Sequence, residues 1–265
     1  MSIRVVPVPA LDDNYMYLVI DTATNNAGVV DPVDPAAIQQ AATDNNATIT
    51  SILTTHSHWD HDGGNIKLVD QCSTITAVYG GNGDGVKACT HEVGEGDEFF
   101  IGETKVQVLF TPCHTPGHVC YFVDEKHVFT GDTLFISGCG NFNAGTPEQM
   151  ASAFDKLMNL PDATQVWVGH EYTATNCKFA CFLEPDNEQA RERMEWALQP
   201  QQTSIHKGGT GTIPSTIAQE KACNPFARLS VPKIVEFCGN CSDRSETMRL
   251  VRKGKDDWGR SQRSK

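Results

Sequence analysis

Seven consecutive positions, His56 to Asp62 in the run LTTHSHWDHDGG, hold three histidines and two aspartates. Few other uses exist for so many imidazole and carboxylate donors side by side, so the run is read as a metal site. One residue separates His56 from His58 and His58 from Asp60, while His61 follows Asp60 directly. A loop of non-repeating dihedrals can therefore aim them at two neighbouring points, and two metals are expected. Nitrogen and oxygen donors without a thiolate suit zinc, iron or manganese better than a structural Cys-rich zinc site.

Short apolar strands should carry this loop and others like it. Ile3 to Val8, Tyr15 to Ile20 and Ala27 to Val30 read as strands, with a turn over Leu11 to Asn14. Asp34 is a candidate cap for a helix from Pro35 to Ala42, and Ile49 to Leu53 is a strand leading into the metal loop. Gly63 and Gly64 free the backbone to turn, and Asn65 to Asp70 begins a helix. The same rhythm returns where Lys105 to Phe110 runs into TPCHTPGH, His127 to Thr130 into GDTLF and Gln165 to Val168 into GHEYT. His114, Asp132 and His170 thus fall on loops at one sheet edge with the first cluster. The glycines from Gly80 to Gly85 match neither a GK[ST] nor a GxGxxG phosphate loop and are read as a flexible turn without chemistry.

After about Thr173 helical composition takes over. Pro185 to Asn187 open a helix through Leu198, Gln199 to Gly211 is a polar connection, Pro214 starts a helix toward Cys223, and Thr247 to Val251 suggests a last short one. The 265 residues are thus divided at 172 into an α/β domain, 1–172, and an α-helical substrate-binding domain, 173–265.

Composition excludes several classes. No apolar run is long enough to span a bilayer, and Pro7, Pro9, Asp12 and Asp13 break up any signal core in the first residues. The ten cysteines are accordingly expected as reduced thiols of an intracellular protein. A net charge of −12 argues against nucleic acid. The end of the chain departs from that balance: from Arg244 on, eight cations face three anions, which leaves a solvated tail or a pocket for an anionic ligand as the two readings.

THSHWDH, TPCHTPGH, FTGDTLF and GHEYT, in this order, resemble the metallo-β-lactamase superfamily. DNYMYLVID, VDP, the GCG of Gly138 to Gly140, AGTPEQM, NPFAR and TMRLVRKGKD are similar, more narrowly, to the glyoxalase II (hydroxyacylglutathione hydrolase) family. The resemblance implies an αββα sandwich with a smaller α-helical C-terminal domain closing over a thioester cleft. It implies one metal on His56, His58 and His114, a second on Asp60, His61 and His170, and Asp132 bridging. Tyr172, Arg252 and Lys255 would hold the glutathione portion, which gives the basic end its use. Asn141 and Asn143 stand where the family's CGKFYEGT segment has Lys and Tyr, so two of the expected substrate contacts change from a cation and a phenol to amides.

A thioester carbonyl is already electrophilic. Hydroxide at neutral pH and stabilisation of the oxyanion suffice to hydrolyse it, and two metals supply both, with Asp60 and Asp132 as the carboxylates nearest the chemistry. The resemblance implies S-D-lactoylglutathione plus water to glutathione and D-lactate, the hydrolytic step of methylglyoxal detoxification. The expected setting is the cytoplasm, with a mitochondrial location left open, and the expected form a monomer. A glutathione persulfide dioxygenase using a single iron is the alternative within the same fold. A zinc or redox module on Cys238 and Cys241 is weaker, because one CxxC lacks a second ligand pair. His118 is expected to support its loop, and His91, His127 and His206 to be packing or surface residues.

Overall fold

Alternation along two early strands sets the layers. In β1 (Ile3–Ala10) and β2 (Asn14–Asp21), paired antiparallel, every residue of β2 is buried. Tyr15, Tyr17 and Val19 enter one hydrophobic cluster, and Met16, Leu18 and Ile20 enter another. Successive side chains leave a strand on opposite faces, so a strand buried on both sides must lie between two layers. The computed structural model, which describes residues 3–202 and 209–263, bears this out; His206 and part of the connection expected over Gln199 to Gly211 lie outside the described residues.

Beside these strands lie β3 (Asn26–Val30), β4 (Thr48–Leu53), β5 (Ala77–Gly81) and β6 (His91–Val93), in the order β1-β2-β3-β4-β5-β6. Helices α1 (Pro35–Asp44) and α3 (Asn65–Gln71) cover the outer face over Ile38, Ile52 and Leu68, while the four-residue α2 (Trp59–Asp62) sits inside the metal loop. Asp34 caps α1 as expected, its carboxylate accepting from the Ala36 and Ala37 amides.

The second sheet contains β7 (Glu98–Ile101), β8 (Thr104–Phe110), β9 (Val119–Val123), β10 (His127–Gly131), β13 (Gln165–Val168) and β14 (Ser215–Thr216), in the order β14-β13-β10-β9-β8-β7. Leu134–Phe135 (β11) and Gly138–Cys139 (β12) form a small hairpin. Val106, Val108, Tyr121 and Phe129 meet Tyr17 and Val30 in the core between the sheets. On the far side, α4 (Pro147–Met158) contributes Met150 and Phe154 to the same cluster, completing the αββα sandwich.

The helices that follow are α5 (Thr173–Leu183), α6 (Glu188–Ala197), α7 (Ile217–Cys223), α8 (Pro232–Phe237) and α9 (Arg244–Arg263). Three expectations need correction. Strands do not end near Thr173, because Ser215 and Thr216 form β14 against β13. The helix expected from Pro214 therefore starts later, under a capping box between Thr216 and Gln219. The short last helix around Thr247 to Val251 is a 20-residue helix, with ion pairs at i,i+3 and i,i+4 spacing along its polar side: Arg249–Glu246, Arg252–Asp256 and Lys253–Asp257.

The glycine run also differs from its reading. Gly80 and Gly81 end β5, and a Cβ on Gly81 would stand 1.6 Å from the Gly117 carbonyl oxygen in the TPCHTPGH loop. A Cβ on Gly94 would meet nothing within 4 Å. Gly81→Ala is therefore expected to cost at least about 3 kcal/mol in a denaturant titration, the upper range of overpacking, and Gly94→Ala less than about 0.5 kcal/mol. Equal midpoints for the two variants would show that the two loops are not wedged together.

Candidate metal centre

Four strands of two sheets end at the same edge. β4 leads to His56, His58, Asp60 and His61, β8 to His114, β10 to Asp132 and β13 to His170. The sandwich brings all seven together. His56 Nε2 and His114 Nε2 each lie 3.1 Å from His58 Nδ1. His61 Nε2 lies 3.2 Å from His170 Nε2, with Asp60 Oδ2 at 3.6 and 3.5 Å from the two. Metal–nitrogen bonds of about 2.0–2.1 Å at tetrahedral angles separate neighbouring donors by about 3.3 Å, so these nitrogens stand where ligands of a common ion would stand. Two such groups are present, His56, His58 and His114 in one and Asp60, His61 and His170 in the other.

Asp132 joins the groups. Its Oδ2 is 3.4 Å from His114 Nε2, and its Oδ1 is 3.4 Å from both His61 Nε2 and His170 Nε2. Asp132 Oδ1 is buried without a hydrogen-bond partner, the state in which a carboxylate oxygen needs a cation. The donor set fits two divalent ions.

Charges at the centre follow from this crowding. Burial penalises the Asp132 carboxylate, yet His61 and His170 beside it hold it well below the usual carboxylate range. Burial also opposes a charge on His170, but Asp132 and Asp13 outweigh it and raise the imidazole to about 10. His61 is raised in the same way by Asp132 and Asp31. Burial pushes His56 far down. A protonated imidazole cannot ligate, so a metal entering at His170 must expel a proton.

Two acidic residues that sequence reasoning missed orient these histidines. Asp31, at the end of β3, accepts from the Thr55 amide (2.7 Å) and hydroxyl (2.7 Å) and contacts His61 Nδ1 at 2.9 Å. Asp13, in the β1–β2 turn, contacts His170 Nδ1 at 2.8 Å. Each leaves Nε2 of its histidine toward Asp132. The strand-then-acid rhythm at Val30-Asp31 was the available signal, the same one that singled out Asp132. His118 lines the floor of the site: it is fully buried, its Nε2 accepts from the Asp132 amide at 3.2 Å, and its ring stacks on His56. Burial drives its pKa well down and keeps it neutral, in keeping with loop support. His91 and His127 stand apart, beside Thr90 and Trp167.

The expected substrate residues flank this centre. The Tyr172 ring stacks on His170, 4.9 Å between centroids and 3° between planes. Asn141 lends its carbonyl to His114 Nδ1 at 3.0 Å. Asn141 and Asn143 line a shallow cleft with Arg249, Arg252 and Lys253, and Arg252 also lines an adjoining cleft with Thr175, Lys255 and Trp258. Arg252 Nη1 donates to the Cys139 carbonyl at 2.7 Å, and Lys255 Nζ donates to Asn176 Oδ1. A larger groove between α6 and α7, around Arg193 and Trp196, shares no residue with the centre.

Comparison with known proteins separates the chain into two matched stretches. Residues 11–170 match the family described as "Metallo-beta-lactamase superfamily", and residues 171–258 match "Hydroxyacylglutathione hydrolase C-terminus". The chain is 46% identical over 262 residues to "Hydroxyacylglutathione hydrolase cytoplasmic" of Arabidopsis thaliana, covering 96% of this chain and 99% of the relative. It is 38% identical over 265 residues to "Hydroxyacylglutathione hydrolase-like protein" of Gallus gallus, covering 97% and 90%. Among solved structures, ETHE1 from Myxococcus xanthus superposes with a TM-score of 0.67 at 26% identity, over 95% of this chain and 90% of that one.

Asp31 touches His61 directly and His56 through Thr55, whose hydroxyl lies 3.0 Å from His56 Nδ1. Asp31→Asn is expected to weaken metal retention by about 10–100-fold, the usual effect of losing the partner that orients a ligating imidazole. Competitive chelator titration checks this, and wild-type retention would remove Asp31 from the centre.

Proposed function

The chain belongs to the hydroxyacylglutathione hydrolase family of the metallo-β-lactamase superfamily, and from that premise we propose that it is a thioester hydrolase acting on S-(2-hydroxyacyl)glutathione. S-D-lactoylglutathione is the leading substrate, with glutathione and D-lactate as products. His56, His58 and His114 would form one metal site, Asp60, His61 and His170 the other, and Asp132 would bridge them. The observation that carries this reading is the Asp132 carboxylate, one oxygen toward each group. A domain division near residue 172 is supported by the junction of the two matched stretches. A cytoplasmic setting is supported by the name of the Arabidopsis relative, and among the described residues no helix is long and apolar enough to cross a membrane.

Two divalent ions, zinc foremost and iron or manganese as alternatives for these donors, supply when bound a water acidified toward neutral pH and a Lewis acid for the carbonyl. The chain's own residues do the rest. Asp60, partly exposed and steadied by Asn14 Nδ2 at 3.1 Å, orients the attacking water. Arg252 and Lys255 hold the carboxylates of the glutathione portion, with Tyr172, Asn141 and Asn143 completing the cleft. The thiol released has a pKa of about 8.5 on the cysteine scale and leaves as thiolate without a strong general acid. The single-iron dioxygenase reading is set aside, because it leaves one of the two ligand groups without use and the near-full-length identities are to hydrolases.

Asp132→Ala should lose more bound metal and more rate than any variant of a ligand to one site, because it removes a donor from both. His170→Ala should retain about one metal per chain. Elemental analysis beside thioester turnover checks both, and two metals with near-normal turnover in Asp132→Ala would sink the bridging assignment.

For the carrier, Arg252→Ala should raise KM far more than it lowers kcat, since a contact to the remote carboxylates is equal in ground and transition states. Burial, with Arg252 beside it, lowers Lys255 to about 7. Its charged fraction therefore falls as pH rises through about 7, and KM for an anionic thioester should climb between pH 6 and 8.5. Lys255→Met should start with a higher KM and lack that climb. Parallel pH profiles of the two proteins would refute the role of Lys255.

A further inference from the structure

The turn after β5, read from sequence as free of chemistry, carries one acidic residue. Asp84 sits between Gly83 and Gly85, both in the left-handed region at φ +73° and +75°, and its side chain turns inward to 8% exposure. Oδ2 accepts from the Ser57 amide at 2.7 Å, and Oδ1 accepts from the Gly117 amide at 2.8 Å. Ser57 lies between His56 and His58, and Gly117 lies three residues beyond His114. One carboxylate therefore clasps the two loops that provide all three histidines of the first ligand group. The Ser57 loop also supplies Asp60 and His61 of the second group, but the loops of His170 and Asp132 make no contact with Asp84 among the described residues, so what Asp84 joins is the His114 loop to the His56–His58 pair. The close fit leaves little slack, since a Cβ on Gly117 would stand 2.7 Å from Asp84 Cβ and 2.6 Å from the Asn82 carbonyl oxygen.

The geometry points to Asp84 as a positioning residue specific to the metal held by His56, His58 and His114. A buried carboxylate accepting two backbone amides fixes the separation of the two loops, and that separation sets the distance from His114 to the His56–His58 pair. The glycines on either side explain how a short turn presents this side chain inward, because left-handed backbone at both neighbours costs glycine little. Asp13 bonds His170 directly, and Asp31 bonds His61 directly and reaches His56 through Thr55, but neither bonds the His114 loop among the described contacts, which leaves that loop to Asp84.

The inference rests on the two-metal reading above, and the test separates the two. Metal release from the loaded protein into excess chelator is followed for wild type, Asp84→Asn, Asp84→Ala and Thr90→Val. Thr90 bonds the Val78 amide at 2.9 Å and serves as a control for general damage to the same connection. Asp84→Asn keeps the volume but has one acceptor where two are used. One of the two metals should leave it about 10–100-fold faster than from wild type, the other unchanged, and kcat should fall with little change in KM. Asp84→Ala should show the same split more strongly, and Thr90→Val should lower the unfolding midpoint without splitting the release. Asp84→Asn releasing both metals at wild-type rates, or both equally faster, would overturn the inference while leaving the two-metal reading intact. Wild-type protein that never retains two metals would overturn both.

Discussion

The buried carboxylate of Asp132 is the group on which the rest of the structure depends. An ionised acid away from water is tolerated only where cations or hydrogen bonds compensate it, and Asp132 Oδ1 has no hydrogen-bond partner. Its neighbours are histidines, and those deepest below it, His56 and His118, are driven toward neutrality by burial. Asp132 and Asp13 raise His170 to about 10, so it compensates Asp132 as an imidazolium only so long as it is not a ligand, and His61 is raised in the same direction. The sandwich thus holds a negative charge that either protons or metal ions can balance, and ions that ligate those same nitrogens replace the protons. Seven donors on four loops need the rigidity of two sheets meeting at one edge, which is what strands buried on both faces, such as β2, provide.

All seven residues that converge at this edge were named from the sequence, because donor types were either crowded, as in HSHWDH, or followed an apolar strand within a few residues. Of the anchoring acids, Asp31 also follows an apolar strand and carried the same signal, whereas Asp13 and Asp84 stand in turns beside another acid or glycine, where aspartate is common for local reasons. Nothing in composition distinguishes an aspartate that bonds its own turn from one that reaches another loop. The same limit applies to β14: Ser215 and Thr216 are too short to show a period and are strand only because the edge of β13 lies beside them. α9 was underestimated for a different reason. Its apolar positions thin out after Val251, and Gly254 interrupts the pattern. In the fold that glycine is a point of contact, since a Cβ there would stand 2.6 Å from the Phe237 ring.

The basic end of the chain shows where charge counting misleads. Arg244 pairs with Asp155, Arg249 with Glu246, and Lys253 and Arg260 with Asp257. Much of the excess is therefore spent along and beside α9, and exposed pairs of this kind contribute little to stability. What distinguishes Arg252 and Lys255 is place: both are drawn in against the hairpin of β11 and β12 or its neighbour Asn176, in the clefts next to the metal centre. Lys255 is oriented there by a neutral oxygen acceptor, whereas Arg252 is held by the Cys139 carbonyl and also by the Asp256 carboxylate, which an arriving anion has to compete with.

That arrangement bears on Asn141 and Asn143. A lysine at 141 would add a charge-assisted bond worth roughly 1.5–3 kcal/mol to an anionic ligand, and an amide offers a neutral bond at about half that. The main chain at the same position does something else: the Asn141 carbonyl fixes His114 through Nδ1, whatever side chain the residue carries. Substrate affinity and metal geometry are therefore separable at one residue, the first residing in the side chain and the second in the backbone. The side chain at 141 can thus be exchanged while the His114 imidazole stays where the backbone carbonyl holds it.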